Sequence, residues 1–268
     1  YQDEIGQIEC KGADVGHYVD PTLGPAQTVQ TPCSTGSFQD EEGQESCKVA
    51  RPGHYVPLAA GAGQSSQTKC PPGTFNPNFG GVSSDVCLTA DEGHFVNFSL
   101  GDAQTNQTAC PPGTFNPDTA STFSNDCRSA IEGFYVDELL GPGQINQTKC
   151  PSGTYNPNEG ATLISHCILS DPGYYSNSTS GISINQKSCE KGTYQPEAGQ
   201  ASCLISDVGY YVENYSSIEQ TPCPEGTYQP LRGQIDCLFA DPGYYVGQTG
   251  QSEPTPCPEG TYSDRPAM

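Results

Sequence analysis

Fourteen cysteines cut this chain at alternating long and short intervals, and no other feature limits its fold so strongly. They stand at 10, 33, 47, 70, 87, 110, 127, 150, 167, 189, 203, 223, 237 and 257, with successive gaps of 23, 14, 23, 17, 23, 17, 23, 17, 22, 14, 20, 14 and 20. Each short gap carries a Gly-Thr/Ser-aromatic motif, as in CPPGTFNPDTASTFSNDC from Cys110 to Cys127. Each long gap carries a Gly-aromatic motif, as in Gly133-Phe134-Tyr135-Val136. Self-similarity at a period of 34 to 40 residues reads as an array of small units. The spacing divides the chain into a partial repeat over 1–32, repeats over 33–69, 70–109, 110–149, 150–188, 189–222 and 223–256, and a partial repeat over 257–268.

The composition explains why cysteines must hold such units. Only 33% of the residues are hydrophobic, against roughly 45–50% in an ordinary globular domain. Trp is absent and Met occurs once, whereas Gly (31) and Pro (24) are abundant. A chain of this kind cannot line one large core, and small units that bury little surface need covalent staples. An even number of regularly spaced cysteines in an acidic, Gly/Pro-rich sequence points to a disulfide framework, and hence to an oxidising, extracellular setting. A zinc site is excluded by spacing, because no Cys-x-x-Cys occurs and His is scarce.

A formal net charge of −21 argues against nucleic-acid binding, which needs a basic footprint, and against anionic membrane surfaces. It reads as solubility and repulsion along an exposed surface. No cofactor is expected; weak Ca²⁺ screening at the surface is the only metal reading, and no EF-hand loop is present. No apolar run is long enough to span a bilayer in this segment. No signal peptide is visible, and the chain opens and closes inside half-units, which leads us to expect a piece of a longer array.

Within the short half-unit, Gly113, Gly153, Gly192 and Gly226 precede Thr and then an aromatic, a pair that favours extended backbone. Asn-Pro or Gln-Pro follows and ends the pairing, and a turn brings the chain back to the closing Cys. The long half-unit repeats the plan from Gly16-His17-Tyr18-Val19 to Gly243-Tyr244-Tyr245-Val246 and closes through Gln-Thr-x-Cys or Thr-Pro-Cys. The three residues that lengthen some short gaps from 14 to 17 read as a tolerant loop tip. The expected fold is therefore small, disulfide-rich β-hairpin repeats in an elongated, solenoid-like array, with little regular secondary structure and no helix.

Candidate chemistry is sparse. His17, His54 and His94 share one repeat position, but Phe134, Tyr174, Tyr210 and Tyr244 fill it elsewhere, so a planar packing group is required there rather than a ligand. Asp14, Asp171, Asp207 and Asp241 recur ahead of the Gly-aromatic pair, where an Asx-type turn or a Ca²⁺ contact is expected. No catalytic constellation or phosphate loop is present, and an active site would break the repetition, so no enzyme is expected. The most specific functional signal is a set of five glycosylation sequons at Asn97, Asn106, Asn146, Asn177 and Asn214, all of them in long segments. Glycans and neighbouring copies or further repeats of the same protein are the expected partners.

The short unit, Cys-x-x-Gly-Thr-Tyr with a closing Cys some fourteen residues on, resembles the first module of tumour-necrosis-factor-receptor cysteine-rich domains. It resembles the ephrin-receptor-like cysteine-rich repeat still more, and the alternating Gly-Thr-Tyr and Gly-Tyr-Tyr-Val units resemble long secreted repeat proteins of aquatic microbes. The resemblance implies the pairs Cys33–Cys47, Cys70–Cys87, Cys110–Cys127, Cys150–Cys167, Cys189–Cys203 and Cys223–Cys237. Both receptor families usually place another Cys two or three residues after the closing one, and here 20 to 23 residues intervene. A register shifted by one, from Cys10–Cys33 through Cys237–Cys257, would use all the cysteines. Loop entropy does not separate the two, since closing about 14 or about 23 residues differs by a few tenths of a kcal/mol. The expected role is an extracellular, glycosylated structural segment of a cell-surface rod or filament; the alternative is a receptor-like ectodomain that grips a protein ligand.

Overall fold

The computed structural model describes residues 1–179 and 181–263. Among them the regular structure is a series of twelve two-stranded sheets, each strand two residues long, and helical geometry occurs only as three-residue 3-10 turns. The chain forms two compact units, one of Tyr1–Arg128 with Leu140–Asn146 and the other of Ser129–Leu139 with Gln147–Met268.

In the first unit the hairpins run in chain order. His17–Tyr18 pairs antiparallel with Thr31–Pro32, Ser37–Phe38 with Lys48–Val49, His54–Tyr55 with Thr68–Lys69, and His94–Phe95 with Thr108–Ala109. A single antiparallel bridge, Phe75 to Leu88, fills the intervening place. The second unit continues in the same way. Phe134–Tyr135 pairs with Thr148–Lys149, Thr154–Tyr155 with Ile168–Leu169, and Tyr174–Tyr175 with Lys187–Ser188. Hairpins built on Thr193–Tyr194, Tyr210–Tyr211, Thr227–Tyr228 and Tyr244–Tyr245 follow. Long and short half-units thus adopt one shape, and the physical repeat is the half-unit.

A hairpin with two-residue strands is not stable alone, and main-chain bonds tie each one to its successor. In the first unit the Gly53 N–H donates to Asn76 O (2.8 Å), and the Asn76 N–H donates to Gln104 O (3.0 Å). In the second, the Gly192 N–H donates to Val212 O (2.8 Å) and the Gly209 N–H to Gln229 O (2.7 Å). The hairpin glycine itself is set by two demands. Gly153 has φ +89°, and a Cβ there would stand 2.0 Å from the carbonyl oxygen of Gly199, two half-units on. Only glycine meets both conditions without strain.

Burial follows the same order. From Ala13 to Ala240 the residue at the end of each hairpin is small and buried: Ala13, Cys33, Ala50, Cys70, Ala90 and Cys110 in the first unit, Ala130, Cys150, Ser170, Cys189, Ser206, Cys223 and Ala240 in the second; Cys257, at the last such place, is half-buried. Cysteine alternates with Ala or Ser. Beside this position sit the apolar nodes, such as Phe38 with Ala50 and Val56, and Phe75 with Ala90 and Val96. The core is thus a chain of small nodes rather than one volume.

The residue after the short half-unit's aromatic is a buried amide whose length matches the loop that follows. Where the loop spans 14 residues, Gln39, Gln195 and Gln229 donate from Nε2 to carbonyls seven residues on, at Ser46, Ser202 and Asp236. Where it spans 17, Asn76, Asn116 and Asn156 donate from Nδ2 to carbonyls of the preceding hairpin, at His54, His94 and Phe134. The longer loops hold a 3-10 turn just before the closing cysteine, at Ser84–Val86, Ser124–Asp126 and Ile164–His166. These loops are not idle tips, as their length alone suggested. Ser121 is buried, its hydroxyl accepts from Asn116 Nδ2 (2.8 Å), and its carbonyl accepts from the Val96 N–H (2.9 Å).

Candidate functional site

Six disulfides close the short half-units: Cys33–Cys47, Cys70–Cys87, Cys110–Cys127, Cys150–Cys167, Cys189–Cys203 and Cys223–Cys237. Their Cα–Cα distances fall between 5.5 and 5.8 Å, within the usual range. The shifted register does not form, and Cys10 and Cys257 are free thiols. Each bond runs from the small buried position before a hairpin to the residue just ahead of its second strand.

The long half-units have the same two positions and no sulfur at them. Their place is taken by a glutamine three residues before each opening cysteine: Gln30, Gln67, Gln107, Gln147, Gln186 and Gln220. Its Oε1 accepts from the backbone N–H next to the buried Ala or Ser, at Asp14 (2.7 Å), Arg51 (2.9 Å), Asp91 (2.8 Å), Ile131 (2.9 Å), Asp171 (2.6 Å) and Asp207 (2.7 Å). Where that residue is Asp, the glutamine Nε2 also donates to its carboxylate, at 2.6 Å for Asp14 and 2.7 Å for Asp91. The array therefore alternates covalent and hydrogen-bonded closures of one hairpin.

This arrangement corrects the expectation for the recurring aspartates. The turn ahead of the glycine is closed by the backbone, with the His17 N–H donating to Asp14 O and the Tyr174 N–H to Asp171 O (3.0 Å each). The carboxylates of Asp14, Asp171 and Asp207 belong to the glutamine closure. Arg51 and Ile131 keep the main-chain half of that contact without a carboxylate, which explains why the acid is dispensable. In the last long half-unit Pro254 replaces the glutamine, leaving Asp241 outside the pattern.

The histidines sit as packing groups do. In His17, His54 and His94, Nδ1 bonds the carbonyl two residues back, at Val15, Pro52 and Glu92, and the His94 ring lies against Gly143; His166 Nδ1 instead accepts from the Thr162 N–H (3.2 Å). Among the described residues no three His, Cys, Asp or Glu side chains gather as a metal site, and no helix is long and apolar enough to cross a membrane.

The five acceptor asparagines occupy two kinds of place. Asn106, Asn146 and Asn214 are exposed, and Asn97 and Asn177 are half-buried. Asn97 caps a 3-10 turn by accepting from the Ser99 N–H at Oδ1, the atom that does not carry a glycan, and Asn177 accepts likewise from Thr179. In the Asn106 sequon the middle residue is the closure glutamine Gln107, and Thr108 lies in the second strand. All five lie in half-units closed by hydrogen bonds.

One groove stands out in the second unit. About 450 Å³ in volume, it is lined by Lys191, Tyr211, Glu213, Pro224, Ile235 and Phe239 among others. A smaller groove one repeat earlier, lined by Tyr175, Asn177 and Cys203 among others, occupies the equivalent place. The apolar side chains of Ile235 and Phe239 at the first groove stand where Ala201 and Ile205 stand one repeat earlier.

Comparison with protein-family models found no match, and comparison with curated proteins found none either. The glutamine closure escaped the sequence reading, although its signal was present: a Gln at a constant three residues before every second cysteine, from Cys33 to Cys223.

Proposed function

We propose that this array is an extracellular, glycosylated structural segment, a spacer within a cell-surface or extracellular filament. The observation that carries the reading is sustained repetition: one hairpin, closed at the same two positions in each half-unit from Ala13 to Cys237, with only the last long half-unit departing from it. Six disulfides fit an oxidising compartment. The resemblance to ephrin-receptor-like repeats points to the same setting. The sequons support a glycan coat borne by the half-units that lack sulfur. Neighbouring copies or further repeats are the partners this role requires.

Small-angle scattering tests the reading. A compact chain of this length has a radius of gyration of about 18 Å, and a spacer requires at least about twice that value; the compact value overturns the proposal. Secretion from a eukaryotic host followed by enzymatic release of N-glycans tests the coat, with mass loss at three or more of the five asparagines expected. The receptor-like reading is favoured by the groove beside Tyr211 and Phe239. It would be supported by a partner whose binding is lost in Phe239→Asp.

A further inference from the structure

We infer that the array is an extensible tether, in which the half-units closed by hydrogen bonds open under load and the disulfides act as stops. This rests on the closures alone, and holds whether or not the segment serves in a filament. Force travelling along the chain enters a short half-unit at Cys70, crosses the sulfur bridge and leaves at Cys87, so the loop between them carries no load. From Cys87 to Cys110 no covalent shortcut exists. That stretch is held by one two-residue ladder, by the Gln107 contacts to Asp91 and by main-chain bonds to neighbouring hairpins. The Asn116 Nδ2 bond to His94 O and the packing of Val96 against Phe75 and Ala90 add to this hold, and none of it is covalent, so it can yield under a load that the sulfur bridges withstand.

The spacing sets the travel. Stretches of 23 residues separate Cys47 from Cys70, Cys87 from Cys110 and Cys127 from Cys150, with 22 from Cys167 to Cys189 and 20 from Cys203 to Cys223. Fully drawn out, each reaches about 70–80 Å and no further. The stops also favour recovery. Each opened stretch has only its own loop to close, and closure cost grows with loop length.

The glutamine closure makes the device testable, because it stands at the positions that cysteines occupy in the next half-unit. Ala90→Cys with Gln107→Cys places a seventh bond across the stretch from Cys87 to Cys110. Pulled singly between handles without reductant, the unaltered chain should lengthen in steps of at most about 80 Å. With reductant the stops are lost, and the chain should extend without discrete steps to about 115–135 Å per repeat. In the oxidised double variant, with the new bond verified by peptide mapping, that stretch should yield only about 20 Å. Gln107→Ala should open at lower force with its step length unchanged. The inference is overturned if the oxidised chain gives whole-repeat steps, if it does not lengthen before its attachments fail, or if the seventh bond leaves total extension unaltered.

Discussion

The half-unit from Cys110 to Cys127 and the one before it, from Ala90 to Gln107, fold alike and are closed differently. In the first, a disulfide joins the buried position to the residue ahead of the second strand. In the second, an amide side chain spans the same gap, accepting from the Asp91 N–H and donating to the Asp91 carboxylate. The difference separates what shapes the hairpin from what holds it. Glycine, the aromatic and the small buried residue are common to both and set the shape. The closure supplies cohesion, and it can be strong or weak without altering the turn. An array that alternates the two gains weak points at regular intervals while its covalent framework stays intact.

The comparison breaks first, and most severely, on the covalent side. Cys110→Ser with Cys127→Ser should cost about 3–5 kcal/mol, read as a lower denaturation midpoint by chemical unfolding, and full reduction should unfold the chain. Chelators should leave it folded. If EDTA unfolds it and reductant does not, the disulfide framework is misassigned.

Next come the features common to both kinds of half-unit. Gly93→Ala and Gly153→Ala, in a hydrogen-bonded and a disulfide-closed half-unit respectively, should each cost about 3 kcal/mol through left-handed strain and the clash with a backbone carbonyl. Gly80 has φ +74° and open space around it, so Gly80→Ala should show only backbone strain of about 1–2 kcal/mol. Thermal unfolding that ranks Gly80→Ala beside the other two would show that the close approach does not matter.

Gln107→Ala should destabilise by about 1–2 kcal/mol, the scale of a lost hydrogen bond that leaves a backbone donor unmatched. Hydrogen exchange at the Asp91 amide is its direct readout and should accelerate, while the amides of the Cys110–Cys127 loop keep their protection. Ser206→Ala acts in the opposite direction. Its buried hydroxyl has no hydrogen-bond partner, and Ala fills the equivalent position at Ala50, Ala90 and Ala240. A gain of about 1 kcal/mol is expected, and a loss on the denaturation curve would point to a role for that hydroxyl.

The smallest effect is electrostatic. Lys48 Nζ lies 2.6 Å from Asp40 Oδ1 within the Cys33–Cys47 half-unit, and this hydrogen bond holds the Asp40 carboxyl below the ordinary carboxylate range. The contribution is present above the unfolded pKa of about 3.9 and is lost as pH falls through the lowered folded value. Both groups are partly exposed, so Asp40→Asn should move the midpoint little at pH 7. A large change there would mean that the pair does more than decorate the loop.

Much of this molecule was legible from local chemistry. Gly-Thr-aromatic followed by Asn-Pro or Gln-Pro reads as a hairpin start because each residue restricts its own backbone, and regular cysteines in a core-poor chain read as staples. The absence of α-helix among the described residues followed from the lack of any helical apolar period. The sequence did not determine the register of the disulfides, since loop entropy is nearly equal for the two pairings. Tertiary structure decided it by seating each opening cysteine in the buried small-residue position and the closing one ahead of the second strand. The sequence itself pairs Asn with the 17-residue loops and Gln with the 14-residue loops, but only the tertiary structure gives the reason, because the partner carbonyl of Asn76 lies in the preceding hairpin, 22 residues away. For the same reason Gln107 became a closure: its partner, Asp91, stands 16 residues back and is brought near only by the fold. Residue type sets what a side chain can bond, but the stacking of one half-unit on the next sets which group it meets.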